Sequence, residues 1–213
     1  MPTPTHEKTM SRPPLRAALA LVLACCASAA AAQAGVTLYG GARGGGEFEN
    51  ANDTSKAYSL DSGAVVAASV DLIMADGRQG QVFYSFQRSA LPGAAFGQTD
   101  EVKLDISYLH LGGRSFFDGS ASAGGAYVVG GIGATFLSPG LSGSSNEIRP
   151  SINLGFGYQW PLTPGVALRA EVRGYATLIN SDGGFFCSGG CVVSIRGNSM
   201  VQAEGLLGLS IGF

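Results

Sequence analysis

The chain has 213 residues, with 13 Lys and Arg against 15 Asp and Glu, a formal net charge of −2, 13% charged residues and 33 glycines. Charged residues are about half as frequent as in an ordinary soluble domain. No basic block or stripe is present, which argues against a nucleic-acid partner.

Residues 1–34 read as a cleavable signal peptide. Lys8, Arg12 and Arg16 form a positive n-region and Ala17 to Ala32 an apolar h-region, while Ala30 and Ala32 place small residues before an exit after Ala32 or Ala34. Gly35 is the favoured mature start, because Val36 then opens a strand. Two alternatives use the same segment. A retained transmembrane helix needs roughly 20 spanning residues, more than this Ala-rich run supplies. A lipoprotein is suggested only by Val22-Leu23-Ala24-Cys25, a loose lipobox. Removing 34 of 213 residues leaves 179, expected to form one domain, 35–213, without a sizeable second module. That remainder keeps 10 of the 13 cationic and 14 of the 15 acidic residues, a net charge of −4.

Eight alternating segments follow, approximately 36–47, 60–74, 79–89, 101–112, 125–137, 147–160, 165–179 and 199–213. Each is long enough for the roughly 9 to 11 residues of a tilted transmembrane strand. The fourth sets Val102, Leu104 and Ile106 against Lys103, Asp105 and Ser107; the fifth is Gly-rich and ambiguous in its facing. The sixth sets Ile148, Ile152, Leu154, Phe156, Tyr158 and Trp160 against Glu147, Arg149, Ser151, Asn153, Gly155, Gly157 and Gln159. The seventh repeats the pattern, with Val166, Leu168, Ala170, Val172 and Leu178 opposite Arg169, Glu171, Arg173, Tyr175 and Thr177. In the eighth, Val201, Ala203, Leu207, Leu209, Ile211 and the terminal Phe213 share a parity, against Gln202, Glu204, Leu206 and Ser210. The connections alternate between short turns, at Asp76-Gly77 and Pro161 to Pro164, and longer polar loops at 48–59, 90–100, 138–146 and 180–198. The connection 113–124 is the exception, being long for its side.

These features predict an all-β fold, an eight-stranded antiparallel up-and-down transmembrane β-barrel. The mature chain holds no apolar helix of spanning length, and in lipid only helices and closed barrels satisfy every backbone group. A Lys or Arg on the lipid face at the midplane costs about 2 to 4 kcal/mol, so Arg169 and Arg173 must face the lumen. Strand parity then places Arg43, Lys103, Arg149, Arg169 and Arg173 inside with Asp61, Asp71, Asp105, Glu147, Glu171 and Glu204. An interior this narrow is filled by side chains, and its buried charges must be paired. The alternative is a soluble lipocalin-type barrel, whose charged face would meet water; here the polar face is mostly Gly, Ser, Asn and Gln.

Cys187 and Cys191 bracket a Ser-Gly-Gly turn in the longest loop and are expected to form a disulfide after export. The Gly-rich run Gly40 to Gly45 sits in a strand and opens no helix, so it is no phosphate loop. His110 is the one mature histidine, and its near neighbour Ser107 lies on the opposite parity. No metal or cofactor site is indicated.

The export signal, the stretch Asn153 to Leu162, the following Ala167 to Tyr175 and the ending Leu207 to Phe213 resemble the small OmpA-type or OmpX-like outer-membrane barrels. The resemblance covers essentially all of the mature chain. It implies the outer membrane of a Gram-negative bacterium, with membrane lipid and lipopolysaccharide and the barrel-assembly machinery as partners. The resemblance is specific for architecture and nearly silent on activity; the balanced lumen charge and the lack of a catalytic set instead lead to the expectation of a non-enzymatic structural, envelope-integrity or surface-interaction role. A narrow passive channel gated by Arg169, Glu171 and Arg173 is the alternative. A lipid-modifying enzyme is a third reading, though such barrels depend on a His with a Ser or carboxylate partner and no short motif around His110 supplies one. In this group a final aromatic belongs to the assembly signal, a role that falls to Phe213. Deleting Phe213 is therefore expected to lower the amount of folded barrel in the membrane, measured as the heat-shifted electrophoretic band of purified outer membranes.

Overall fold

The computed structural model describes residues 34–50, 53–91, 101–118, 123–140, 145–179, 195–196 and 199–212. Residues 1–33 of the expected leader, Cys187 and Cys191 with their expected disulfide, and Phe213 lie outside the described residues. The strands are β1 (Ala34–Gly45), β2 (Glu47–Asn50), β3 (Asp53–Ser59), β4 (Gly63–Ala75), β5 (Arg78–Leu91), β6 (Val102–Phe116), β7 (Gly125–Pro139), β8 (Glu147–Thr163), β9 (Val166–Leu178), β10 (Ile195–Arg196) and β11 (Ser199–Gly212).

Eight of them close into a barrel in the order β1-β11-β9-β8-β7-β6-β5-β4, every neighbour antiparallel. The seal joins the first strand to the last, with Val36 opposite Ile211 and Arg43 opposite Glu204. One end carries the turns at Asp76-Gly77 and Pro164-Gly165, where Gly77 and Gly165 adopt φ of 68° and 85°, which a side chain resists. Ala34 and Gly212 lie at this turn end; the opposite, loop end carries the longer connections.

Two departures from the expected layout concern the connections. The connection expected over 113–124 is shorter, because β6 runs on to Phe116, whose ring packs on Tyr127 at a centroid distance of 5.3 Å, and β7 begins at Gly125. The region 48–59, expected as a polar loop, carries strands: β2 and β3 pair antiparallel and β10 joins β2 from the last loop, with Ile195 opposite Asn50. The first and last loops are thus tied by backbone pairing beyond the barrel rim.

Alternation sorts the side chains. The outer wall is apolar, with Leu38, Ile132 and Leu154 exposed at 66%, 70% and 72%, and Tyr158 and Trp160 stand on it as a pair near the turn end. Such a face has no stable contact with water and suits hydrocarbon with an aromatic girdle. Inside, two cross-strand pairs set a tyrosine over a glycine, Tyr39 opposite Gly208 and Tyr127 opposite Gly157. A Cβ on Gly208 would lie 2.3 Å from the Tyr39 ring, and one on Gly157 would lie 2.6 Å from that of Tyr127. The glycines are the space the rings occupy.

Gly208→Val should therefore overpack the lumen and cost about 1–3 kcal/mol, read as a lower urea midpoint for the barrel in lipid vesicles. An unchanged midpoint would show that Tyr39 can move aside.

Candidate functional site

Among the described residues the buried charged side chains collect in the interior, and the strands hold it in three levels. At the loop end the lumen is apolar: Leu60, Leu104, Ile106, Leu137, Ile179 and Met200 form one buried cluster. Beneath it, Arg43 of β1 donates from Nη2 and Nε to Glu204 of β11 at 2.8 and 3.0 Å. Ser85 and Tyr175 also donate to that carboxylate. The Arg43 guanidinium lies 4.6 Å from the Tyr108 ring centroid, and Tyr108 stacks on Tyr175 at 4.1 Å. A planar, weakly hydrated guanidinium is suited to such a sandwich of carboxylate and ring.

The third level fills the turn-end half. Asp71 of β4 accepts from Arg169 Nη1 at 2.5 Å, Gln81 at 2.7 Å and Arg114 Nη1 at 3.2 Å. Glu171 accepts from Arg173 Nε and from the Tyr127 hydroxyl at 2.9 Å, and pairs with Arg114 Nη2 at 3.6 Å. Arg173 also donates to Gln81 at 2.7 Å, with its guanidinium 3.7 Å from the Phe83 centroid. Neighbours on one strand, Arg169, Glu171 and Arg173, are thereby tied to β4, β5, β6 and β7. Each charge touches an opposite one, three guanidinium groups sharing two carboxylates, and a broken pair in such a setting leaves an uncompensated buried charge.

Arg43, Asp71, Arg169, Glu171, Arg173 and Glu204 stand inside, as strand parity predicts. Glu147 and Arg149 pair at 3.0 Å at the loop-end rim, part-exposed, and Asp61 is exposed there. Lys103 and Asp105 are a correction. They face outward, Asp105 bound to Arg88 at 3.0 Å on the outer wall, while Val102, Leu104 and Ile106 turn inward. The parity rule fails here because β6 begins at the loop end, where the lumen is apolar and the outer wall is polar. The converse error concerns Arg114, placed in a connection on sequence grounds. It is fully buried and bridges Asp71 and Glu171. Its signal was the unbroken period of two through Tyr108, His110, Gly112, Arg114 and Phe116.

His110 also lies inside, 1% exposed, with Nε2 3.0 Å from Ser151 Oγ. Sequence reasoning missed this partner, which is brought in by β8 from 41 residues away. The pair has the reach of a base and nucleophile. Nδ1, however, has no hydrogen-bond partner among the described residues, and both side chains are buried in the lumen. Stacking on Tyr108 and Tyr175 at 5.7 and 5.6 Å makes His110 a packing element. Among the described residues no cluster of ligating side chains suits a metal ion.

No family profile matches the chain, and no curated protein sequence does. Among solved structures it is similar to Neisserial surface protein A, with a TM-score of 0.58 and 14% identity over 85% of this chain and 97% of that one. OprG from Pseudomonas aeruginosa follows at 0.49, with 13% identity over 85% and 96%. AlkL, determined in lipid bilayers, gives 0.48, with 15% identity over 85% and 90%. The chain has the closed, eight-stranded, all-antiparallel fold of the small outer-membrane barrels.

Glu204→Gln should strand the buried Arg43 guanidinium and cost about 3–5 kcal/mol, whereas the double variant Arg43→Met with Glu204→Met should recover most of that loss. Urea unfolding in vesicles measures both, and a double variant no better than the single one would refute the pairing.

Proposed function

We propose that the chain is an integral outer-membrane protein of a Gram-negative bacterium, exported by a cleavable leader. In this reading its barrel is a sealed, non-enzymatic anchor for outward loops with a structural or surface-interaction role. The observation that carries the reading is the inversion of polarity across one wall: an apolar outer face around a lumen of buried ion pairs. Only a solvent of hydrocarbon makes that arrangement favourable. The turn end, with Ala34 and Gly212, then faces the periplasm, and the loop end faces outward.

The lumen argues for an anchor over a channel. Opening it would require parting the Asp71, Glu171 and Glu204 pairs and also displacing the apolar cluster of Leu104, Leu137 and Met200 above them. A passive path for solutes would meet both barriers in series. The paired strands β2 and β3, joined by β10, give the first and last loops a shared backbone frame, which suits presentation of a surface. Lipopolysaccharide and membrane lipid are the proposed surroundings, and the barrel-assembly machinery the proposed partner during insertion.

The protein should co-fractionate with outer membranes, show a heat-shifted electrophoretic band and give no current above background in planar bilayers. A soluble periplasmic product would sink the anchor reading, and a steady single-channel conductance would replace it with the channel.

A further inference from the structure

The buried charged groups of the described lumen do not balance. Arg43, Arg114, Arg169 and Arg173 face Asp71, Glu171 and Glu204, four guanidinium groups against three carboxylates. The loop-end half is neutral, since Arg43 and Glu204 pair one to one. The surplus lies in the turn-end half, where Arg114, Arg169 and Arg173 share Asp71 and Glu171. A guanidinium does not shed its proton in a protein. An excess charge held away from water needs a counter-charge.

The structure also places an opening beside the surplus. A cavity of about 690 Å³ enters the barrel at the turn end. This is within the range of small-molecule sites. Its floor is polar, formed in part by Arg169, Asp71 and Gln159, and Pro161, Leu162 and Ala167 contribute apolar wall. Of the four buried arginines, Arg169 is the one that lines it. Arg169 spends Nε on Gln159 at 2.8 Å and Nη1 on Thr37 and Asp71, both at 2.5 Å. Its third nitrogen, Nη2, has no hydrogen-bond partner among the described residues. Its side chain is nevertheless 4% exposed, so the charge is held away from bulk water at the base of an accessible recess.

We propose that this turn-end cavity is a binding site for a small monocarboxylate carried on an apolar body, the carboxylate seated on Arg169. One negative charge cancels the surplus, and the apolar walls select an organic acid over a bare inorganic anion. The site lies below the Asp71 and Glu171 pairs, so occupying it leaves the lumen closed. It is independent of what the outer loops do.

Benzoate and its neutral near-isostere benzamide are suitable probes, titrated by calorimetry or saturation-transfer NMR into the folded barrel in lipid nanodiscs at fixed ionic strength. Benzoate should bind saturably and about tenfold or more tightly than benzamide, the discrimination expected of a charge-assisted hydrogen bond. Arg169→Gln should abolish that difference. Ala167→Phe, which narrows the recess without touching an ion pair, should weaken benzoate about tenfold or more by filling its place. The heat-shifted band reports folding of each variant, and the wild-type comparison stands even if one fails to fold. Equal binding of the two probes, benzoate binding unchanged in either folded variant, or displacement of benzoate by an equal concentration of chloride overturns the proposal.

Discussion

The closure of β1 on β11 is the constraint from which the rest follows. A sheet whose outer face is apolar from Leu38 round to Leu207 has no water along that face to satisfy an open edge, so its first and last strands must pair. They do so from Gly35 opposite Gly212 to Gly45 opposite Gln202. Closure of eight strands then sets the width, and the width leaves an interior that side chains alone can fill. The strand that begins the barrel and the strand that ends it are also those that bring Arg43 to Glu204, so the seal in the backbone is repeated by an ion pair inside it.

The lumen solves a packing problem and an electrostatic one with the same residues. Long polar side chains occupy volume that an apolar core would otherwise take, and they stay buried because each finds a partner on another strand. Asp71 gathers groups from β5, β6 and β9, and Glu171 joins β6, β7 and β9. Aromatic rings lie between the charged levels, with Phe83 under Arg173 and Tyr127 beside Arg114. Glycines opposite Tyr39 and Tyr127 accommodate the rings. A network joined this way couples distant strands more firmly than backbone pairing between neighbours alone.

The two ends of the barrel differ in kind. At the loop end an apolar cluster closes the lumen, the outer wall turns polar at Arg88, Lys103 and Asp105, and a small sheet rises from the rim. At the turn end lie the tight turns at Asp76-Gly77 and Pro164-Gly165, the wall carries Tyr158 and Trp160, and the interior opens to a recess floored by Arg169. The mid-barrel rule that apolar means outward holds between these ends and reverses at the first.

The sequence by itself determined the number of barrel strands, their antiparallel order and the inward facing of Arg43, Asp71, Arg169, Glu171, Arg173 and Glu204. These follow from a period of two, from turn chemistry and from the cost of charge in hydrocarbon, all of which are local. Tertiary structure decided what depends on height along the barrel axis. Leu104 and Ile106 look like lipid-facing residues until β7 and β11 bring Leu137 and Met200 against them, and Lys103 looks interior until its level proves to be the polar rim. Arg114 reads as a loop residue until Asp71 and Glu171, 43 and 57 positions away, meet it in the lumen. The same holds for Ser151 beside His110 and for the surplus positive charge at the turn end. Strand parity names a face, whereas the partners on that face are set by the stagger of eight strands around a closed sheet.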